Sequence, residues 1–197
     1  YLNSPQIKTL ASYDWWDIWG TSLGSFGKNF YLKNRLIGAF VVGPILLIDI
    51  LYPNFRRFFV KKRTFPICYA HTGLGYINLY EATNNPDYLK KSISFVAPLI
   101  KMASPLRKGL GWGMKHRWTT VSGIIPEDTP CNTQTSYVYG FFAKLSEIHD
   151  SKKYDEYLKK IAWHVANDFH EWQIGDTLAC SYSTVDRRRV VNANSYR

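Results

Sequence analysis

The sequence is poor in the residues that build cross-links and metal centres. Its three cysteines, Cys68, Cys131 and Cys180, are an odd number at wide spacing, which gives neither a disulfide framework nor a zinc pattern. Reduced thiols are the simple account. Five histidines are scattered without ligand spacing, so no metal site is expected. A phosphate-cradling glycine loop, a nucleophile elbow, a His-Glu-x-x-His pair and a dinucleotide fingerprint are all missing, and no cofactor is expected. Long apolar runs are missing too. The strongest, Leu36 to Leu51, falls short of the ~20 residues of a spanning helix and contains Pro44 and Asp49, so a buried helix is expected there. Acidic residues are scarce: 15 Asp and Glu face 25 Lys and Arg, for a net charge of +10. That excess suits an acidic partner, although the basic residues fall in short separate groups, as solvated helix faces also require.

Aromatic residues are plentiful, and seven are tryptophan. Many must be core, but several stand in loop-like sequence beside Gly, Pro, His and Arg, where packing alone explains them less well. A helical unit also occurs twice. Ala70-His71-Thr72-Gly73-Leu74-Gly75-Tyr76, continuing to Thr83, is followed by a break and Tyr88-Leu89-Lys90-Lys91. About 66 residues later Ser136-Tyr137-Val138-Tyr139-Gly140-Phe141-Phe142, continuing to His149, is followed by a break and Tyr157-Leu158-Lys159-Lys160. A repeat of this length is one supersecondary unit that cannot bury its apolar face alone and must stack on a neighbour.

One domain, 1–197, is expected, in three stretches. Residues 1–35, with Trp15, Trp16 and Trp19, form an irregular arm with a short helix. Residues 36–65 hold the buried helix, broken near Pro44, and a basic aromatic connection from Phe55 to Arg63 that would suit peripheral contact with a membrane. Residues 66–197 hold the hairpins. The first runs from about Cys68 to Ala82 and, after the turn Asn84-Asn85-Pro86-Asp87, on to Met102 with an interruption at Pro98. The second runs from about Thr135 to Ile148 and from Tyr154 to His170 or Trp172. Between them, 103–135 carries too many Gly and Pro for a long helix, and connections of this length are usually functional. Leu178 to Ser183 is strand-like, and Val190 to Tyr196 resembles the start of a third repeat helix, from which a natural chain longer than this one is expected.

The helix, turn, helix pattern, with Gly111-Trp112-Gly113 and Pro126-Glu127-Asp128-Thr129-Pro130 in the following loop, resembles the six-hairpin, (α/α) toroid proteins that act on carbohydrates: N-acylglucosamine 2-epimerase-like proteins, unsaturated glucuronyl hydrolases and polysaccharide lyases. The segment from Ser181-Tyr182-Ser183 to Asn192-Ala193-Asn194 further resembles toroid proteins of bacterial polysaccharide gene clusters. The resemblance covers about 66–197 and implies an all-α fold: antiparallel helical hairpins forming part of a toroid, incomplete at the C-terminus. It also implies that loops 103–135 and 173–194 line a groove in which aromatics stack on sugars.

On that reading the catalytic candidates are Glu127, His116, Asp186 and Tyr182. The substrate-binding candidates are Trp112, Arg117, Trp118, His71, Gln134, Asn192 and Asn194. Glycines let backbone approach a ligand, Trp offers a face to a sugar, and Arg forks onto a carboxylate. Arg117 would take the carboxylate of an anionic glycan, and Glu127 or His116 would move the proton. Each also has a plainer reading: a solvated loop acid for Glu127 and Asp186, a packed or capping residue for His71 and Tyr182, helix caps for Asn192 and Asn194. The expected activity is hydrolysis, elimination or epimerisation of a bacterial polysaccharide or oligosaccharide; the alternative is a non-catalytic glycan binder or scaffold. Nucleic acid is not favoured, because the aromatics fall in no reader motif. The expected location is cytoplasmic, with peripheral attachment to a membrane as the variant.

Overall fold

The computed structural model describes residues 15–58, 63–149, 152–188 and 190. They divide into two compact units: a hairpin unit, 15–58, 63–64 and 115–127, and a repeat unit, 65–114, 128–149, 152–188 and 190. No helix among the described residues is long and apolar enough to cross a membrane.

The hairpin unit opens with a 3-10 turn, Trp15–Gly20, and continues through α1 (Ser22–Lys33), α2 (Arg35–Leu51) and a second 3-10 turn, Pro53–Phe58. Two short strands, β1 (Trp118–Thr120) and β2 (Gly123–Ile125), pair antiparallel with Trp118 opposite Ile125. Each helix start is capped by the side chain the sequence supplies there. The Thr21 hydroxyl accepts from the Gly24 N–H at 3.0 Å, and the Asn34 side-chain carbonyl accepts from the Ile37 N–H at 3.2 Å. The helices meet at Gly38, where a Cβ would lie 2.2 Å from the Tyr31 Cα. Ser25 on α1 and Thr119 on β1 share a hydroxyl hydrogen bond of 2.8 Å.

Two expectations change here. The short helix expected in the arm extends over 12 residues, Ser22–Lys33, and α2 runs unbroken through Pro44. Proline deprives the Phe40 carbonyl of its partner, but Pro44 and Phe40 both stand on the open side of the helix, where water takes up the freed carbonyl. Nor is α2 a buried helix: only Gly38, Val42 and Asp49 are buried.

The repeat unit contains α3 (Pro66–Thr83), α4 (Pro86–Ile93), α5 (Val96–Lys101), α6 (Asn132–Ile148) and α7 (Lys152–Asn167), then a hairpin of β3 (Glu171–Ile174) and β4 (Thr177–Cys180). The chain is thus mostly helical with short strands, not purely α. As the repeat predicts, α3 packs on α4 and on α6, and α6 packs on α7. Asn84, in the left-handed conformation, ends α3, and Asn85 caps α4, whose first residue is Pro86. The interruption expected at Pro98 falls at Ser94–Phe95 instead. Proline lacks the N–H that would bond the carbonyl four residues back and clashes with it, so the break comes upstream and Pro98 sits in the first turn of α5.

Buried side chains trace one stripe on each long helix: Tyr69, Ala70, Gly73, Tyr76 and Ile77 on α3, and Gln134, Thr135, Val138, Phe141, Phe142 and Leu145 on α6. Spacings of three and four hold each stripe on one face. Gly73 gives the Phe141 ring its seat, since a Cβ there would lie 2.4 Å from that ring.

Candidate functional site

The start of α6 carries the densest polar arrangement described in the repeat unit. No side chain caps this helix; neighbouring segments satisfy its first N–H groups. Cys131 N–H donates to the Trp112 carbonyl at 3.0 Å, and Asn132 N–H to the Tyr182 carbonyl at 3.0 Å. The buried Asn132 amide donates to the Ser181 carbonyl at 3.1 Å and reaches the Cys180 Sγ at 3.1 Å. These bonds hold 180–184 across the mouth of the helix and fix Tyr182 there.

The Tyr182 hydroxyl lies 3.0 Å from Thr133 Oγ1, and the Arg188 guanidinium stands 6.0 Å from the centre of the Tyr182 ring. Thr133 and Tyr137 are one turn apart on α6, hence on the same side of it. The Tyr137 ring lies 4.6 Å from that of His71 on α3. His71, Tyr137, Thr133, Tyr182 and Arg188 thus form a row of aromatic, hydroxyl and cationic groups, each partly or wholly exposed. Burial, then the neighbouring Cys131 thiol, pushes the Tyr182 phenol up to about 12. At neutral pH it is a hydrogen-bond donor, not a phenolate base.

Of the expected site residues, His71 and Tyr182 fall in this row. Asp186 supports it from below. Buried, it accepts from the Ser183 N–H at 3.1 Å, the Ser183 hydroxyl at 2.6 Å and the Arg188 N–H at 3.0 Å, and pairs with the Arg188 guanidinium at 3.4 Å. A carboxylate held by so many donors orders the 183–188 turn.

Trp112 is a correction. Fully enclosed at 0% exposure, it donates from its indole to the Leu99 carbonyl at 2.8 Å and packs on Phe142, so neither ring face is open to a sugar. The flanking glycines serve this packing and not a ligand. A Cβ on Gly111 would lie 2.3 Å from His164 Nε2, and one on Gly113 would lie 2.1 Å from the Thr129 carbonyl oxygen. Gln134 is also structural: buried, it accepts from the Ile67 N–H at 3.2 Å and donates to Met114 Sδ at 3.2 Å, tying the start of α3 to α6.

His116, Arg117, Trp118 and Glu127 belong to the hairpin unit. His116 lies against Gly20, and burial, with the Arg63 charge adding to it, holds its imidazole down at about 4. Arg117 and Glu127 are exposed, and Trp118 is half-buried on β1. Asn192 and Asn194 lie outside the described residues. No group of three or more possible metal ligands occurs among the described residues.

Sequence reading missed Thr133, Tyr137 and Arg188. The repeat did hold a signal for Tyr137, because it occupies the place of His71 in the second copy.

No family model and no curated protein matches the chain. Among solved structures, a mannosidase of glycoside hydrolase family 76, Bt3792 from Bacteroides thetaiotaomicron VPI-5482, is similar at 13% identity and a TM-score of 0.42, over 58% of this chain and 31% of that one. The chain therefore spans less than a third of that mannosidase's length. A likeness this loose fixes neither a shared ring nor a shared site.

Proposed function

We propose that the repeat unit is part of an (α/α) toroid-like carbohydrate protein, and that the row from His71 to Arg188 binds an anionic glycan. The observation that carries this is the Tyr182 and Thr133 hydroxyl pair, 3.0 Å apart, with the Arg188 guanidinium beside the same ring. Sugars present hydroxyls and apolar faces together, and uronates add a carboxylate. Hydroxyl pairs, aromatic rings and a guanidinium fork complement those three features in turn. The paired hairpins and the toroid resemblance of the sequence support the same reading.

Hydrolysis, elimination or epimerisation is the second reading, and His71 is the group in the row that favours it. Catalysis on a glycosidic bond needs a second ionisable group roughly 5 to 10 Å away across the groove. Tyr182 stays protonated at neutral pH, and Asp186 is held by its turn, so binding is the better account of this row.

The test is calorimetric titration of uronate-containing and neutral oligosaccharides, at low and high salt, into wild type, Tyr182→Phe and Arg188→Lys. Wild type should prefer the uronates, and the preference should shrink with salt, since exposed charges are screened over about 8 Å near 0.15 M. Arg188→Lys should weaken uronate binding roughly tenfold while neutral sugars change little, because Lys keeps the charge and loses the bidentate fork. Equal affinity for both sugar classes in all three proteins would replace the anionic ligand by a neutral one. Failure of wild type to bind either class would overturn the glycan reading.

A further inference from the structure

We propose that the outer face of the α1–α2 hairpin docks on an anionic lipid bilayer, with α2 lying along the membrane surface. The inference is independent of the glycan reading.

The burial of α2 runs against its composition. Its one acidic residue, Asp49, is only 3% exposed, whereas Leu36 and Phe40 are 82% and 84% exposed, and Ile37, Leu47, Ile50 and Leu51 are open as well. A helix in a water-soluble unit turns its apolar stripe inward; this one turns its acidic side chain inward and leaves most of its large apolar side chains out. Leu23 and Phe26 on α1 add to the exposed apolar surface. Beyond α2 an apolar groove of about 690 Å³ runs between Leu51, Phe55 and Phe58. Apolar patches of this extent on a surface mark an interaction site.

The charge around α2 identifies the partner. Between Arg35 and Asp49 the helix carries no charged side chain and no side-chain hydrogen-bond donor or acceptor, so it offers nothing for a protein partner to pair with except hydrocarbon. Charge instead brackets the apolar segment. Lys33 and Arg35 stand exposed at one end, and the sequence places Arg56, Arg57, Lys61, Lys62 and Arg63 beyond the other. Residues 15–64 and 115–127 hold ten Lys and Arg against three Asp and Glu. Apolar side chains set between basic clusters match acyl chains beneath anionic headgroups.

Length decides the geometry. The 17 residues of α2 extend about 25 Å at 1.5 Å each, less than the ~30 Å hydrocarbon core, and basic residues flank both ends. A helix of that length and charge lies in the interface, its apolar face sunk by roughly 5 to 10 Å.

The experiment is co-sedimentation of the full chain with phosphatidylcholine vesicles and with vesicles containing phosphatidylserine, beside light scattering without lipid. Wild type should sediment with the anionic vesicles, and high salt should weaken this. Leu36→Glu with Phe40→Glu should reduce binding roughly tenfold or more while leaving the helical circular dichroism unchanged, since both side chains are exposed. Lys33→Glu with Arg35→Glu should weaken the preference for anionic vesicles, because one of the two basic clusters is reversed, and should keep the apolar part of the binding. Wild type that ignores both vesicles, that self-associates through this face without binding lipid, or that binds no better than the Leu36→Glu, Phe40→Glu variant would overturn the proposal.

Discussion

His71 and Tyr137 occupy the same place in the two copies of the repeat, and their rings lie 4.6 Å apart with their planes tilted by 49°. Two helices that start alike and lie side by side bring equivalent residues together near their starts. The contact between α3 and α6 therefore follows from the repeat, and so does the His71–Tyr137 part of the proposed row, while Tyr182 and Arg188 reach it from a segment outside the repeat.

The seat of Phe141 on α3 leads to the first expectation. Gly73→Ala should destabilise the repeat unit by about 1 to 3 kcal/mol, because a methyl there meets a buried ring. Alanine's better helix propensity, up to ~1 kcal/mol, offsets part of that. Urea denaturation followed by circular dichroism reads the difference; a variant more stable than wild type would show that the ring moves aside freely.

Trp112 and Trp118 should behave differently despite standing six residues apart. Trp112→Ala removes a fully buried indole and should cost about 3 to 5 kcal/mol. Trp118→Ala, at a half-buried strand position, should cost less than half as much. Similar losses from the two variants would contradict the different burial of the two rings.

Tyr182→Phe deletes one hydroxyl and its bond to Thr133. Stability should fall by about 1 kcal/mol, the ordinary net worth of such a bond, with the fold retained. Glycan affinity should drop more than stability if the hydroxyl faces ligand. Thermal melts and titrations on the same preparation separate the two effects.

His116 sets a pH dependence. Its folded value of about 4 lies below the ordinary 6.5, so the unfolded chain binds the proton more readily between those values. Its contribution is fully present above pH 6.5 and is lost as pH falls toward 4. The melting temperature of wild type should decline through this window, and that of His116→Gln should decline less. Parallel declines would assign the acid sensitivity to other groups.

Much of the local structure of the repeat unit can be read from its residues. Pro66, Asn84, Asn85 and Pro86 punctuate the chain through their own backbone geometry, so the pairing of the hairpins and the limits of α3, to within two residues, were legible without coordinates. The last helix was not: expected to reach His170 or Trp172, α7 ends at Asn167, and Trp172 lies in β3. Apolar residues stand on more than one side of α3, so its contact with α6, and not spacing, selects the buried face. His71 and Tyr182 were legible as candidates for the same local reason, a polar or aromatic side chain at a helix start or in a loop. The tertiary structure alone decided what Trp112, Gln134 and Asp186 do. A Gly-Trp-Gly segment serves a ligand or a core equally well in one dimension, and only the His164 ring and the Thr129 carbonyl, brought against those glycines by distant parts of the chain, show that it is core. The outward apolar face of α2 was hidden in the same way. Composition shows that a segment is apolar, but burial depends on the surface packed against it, and that surface is supplied by the rest of the fold.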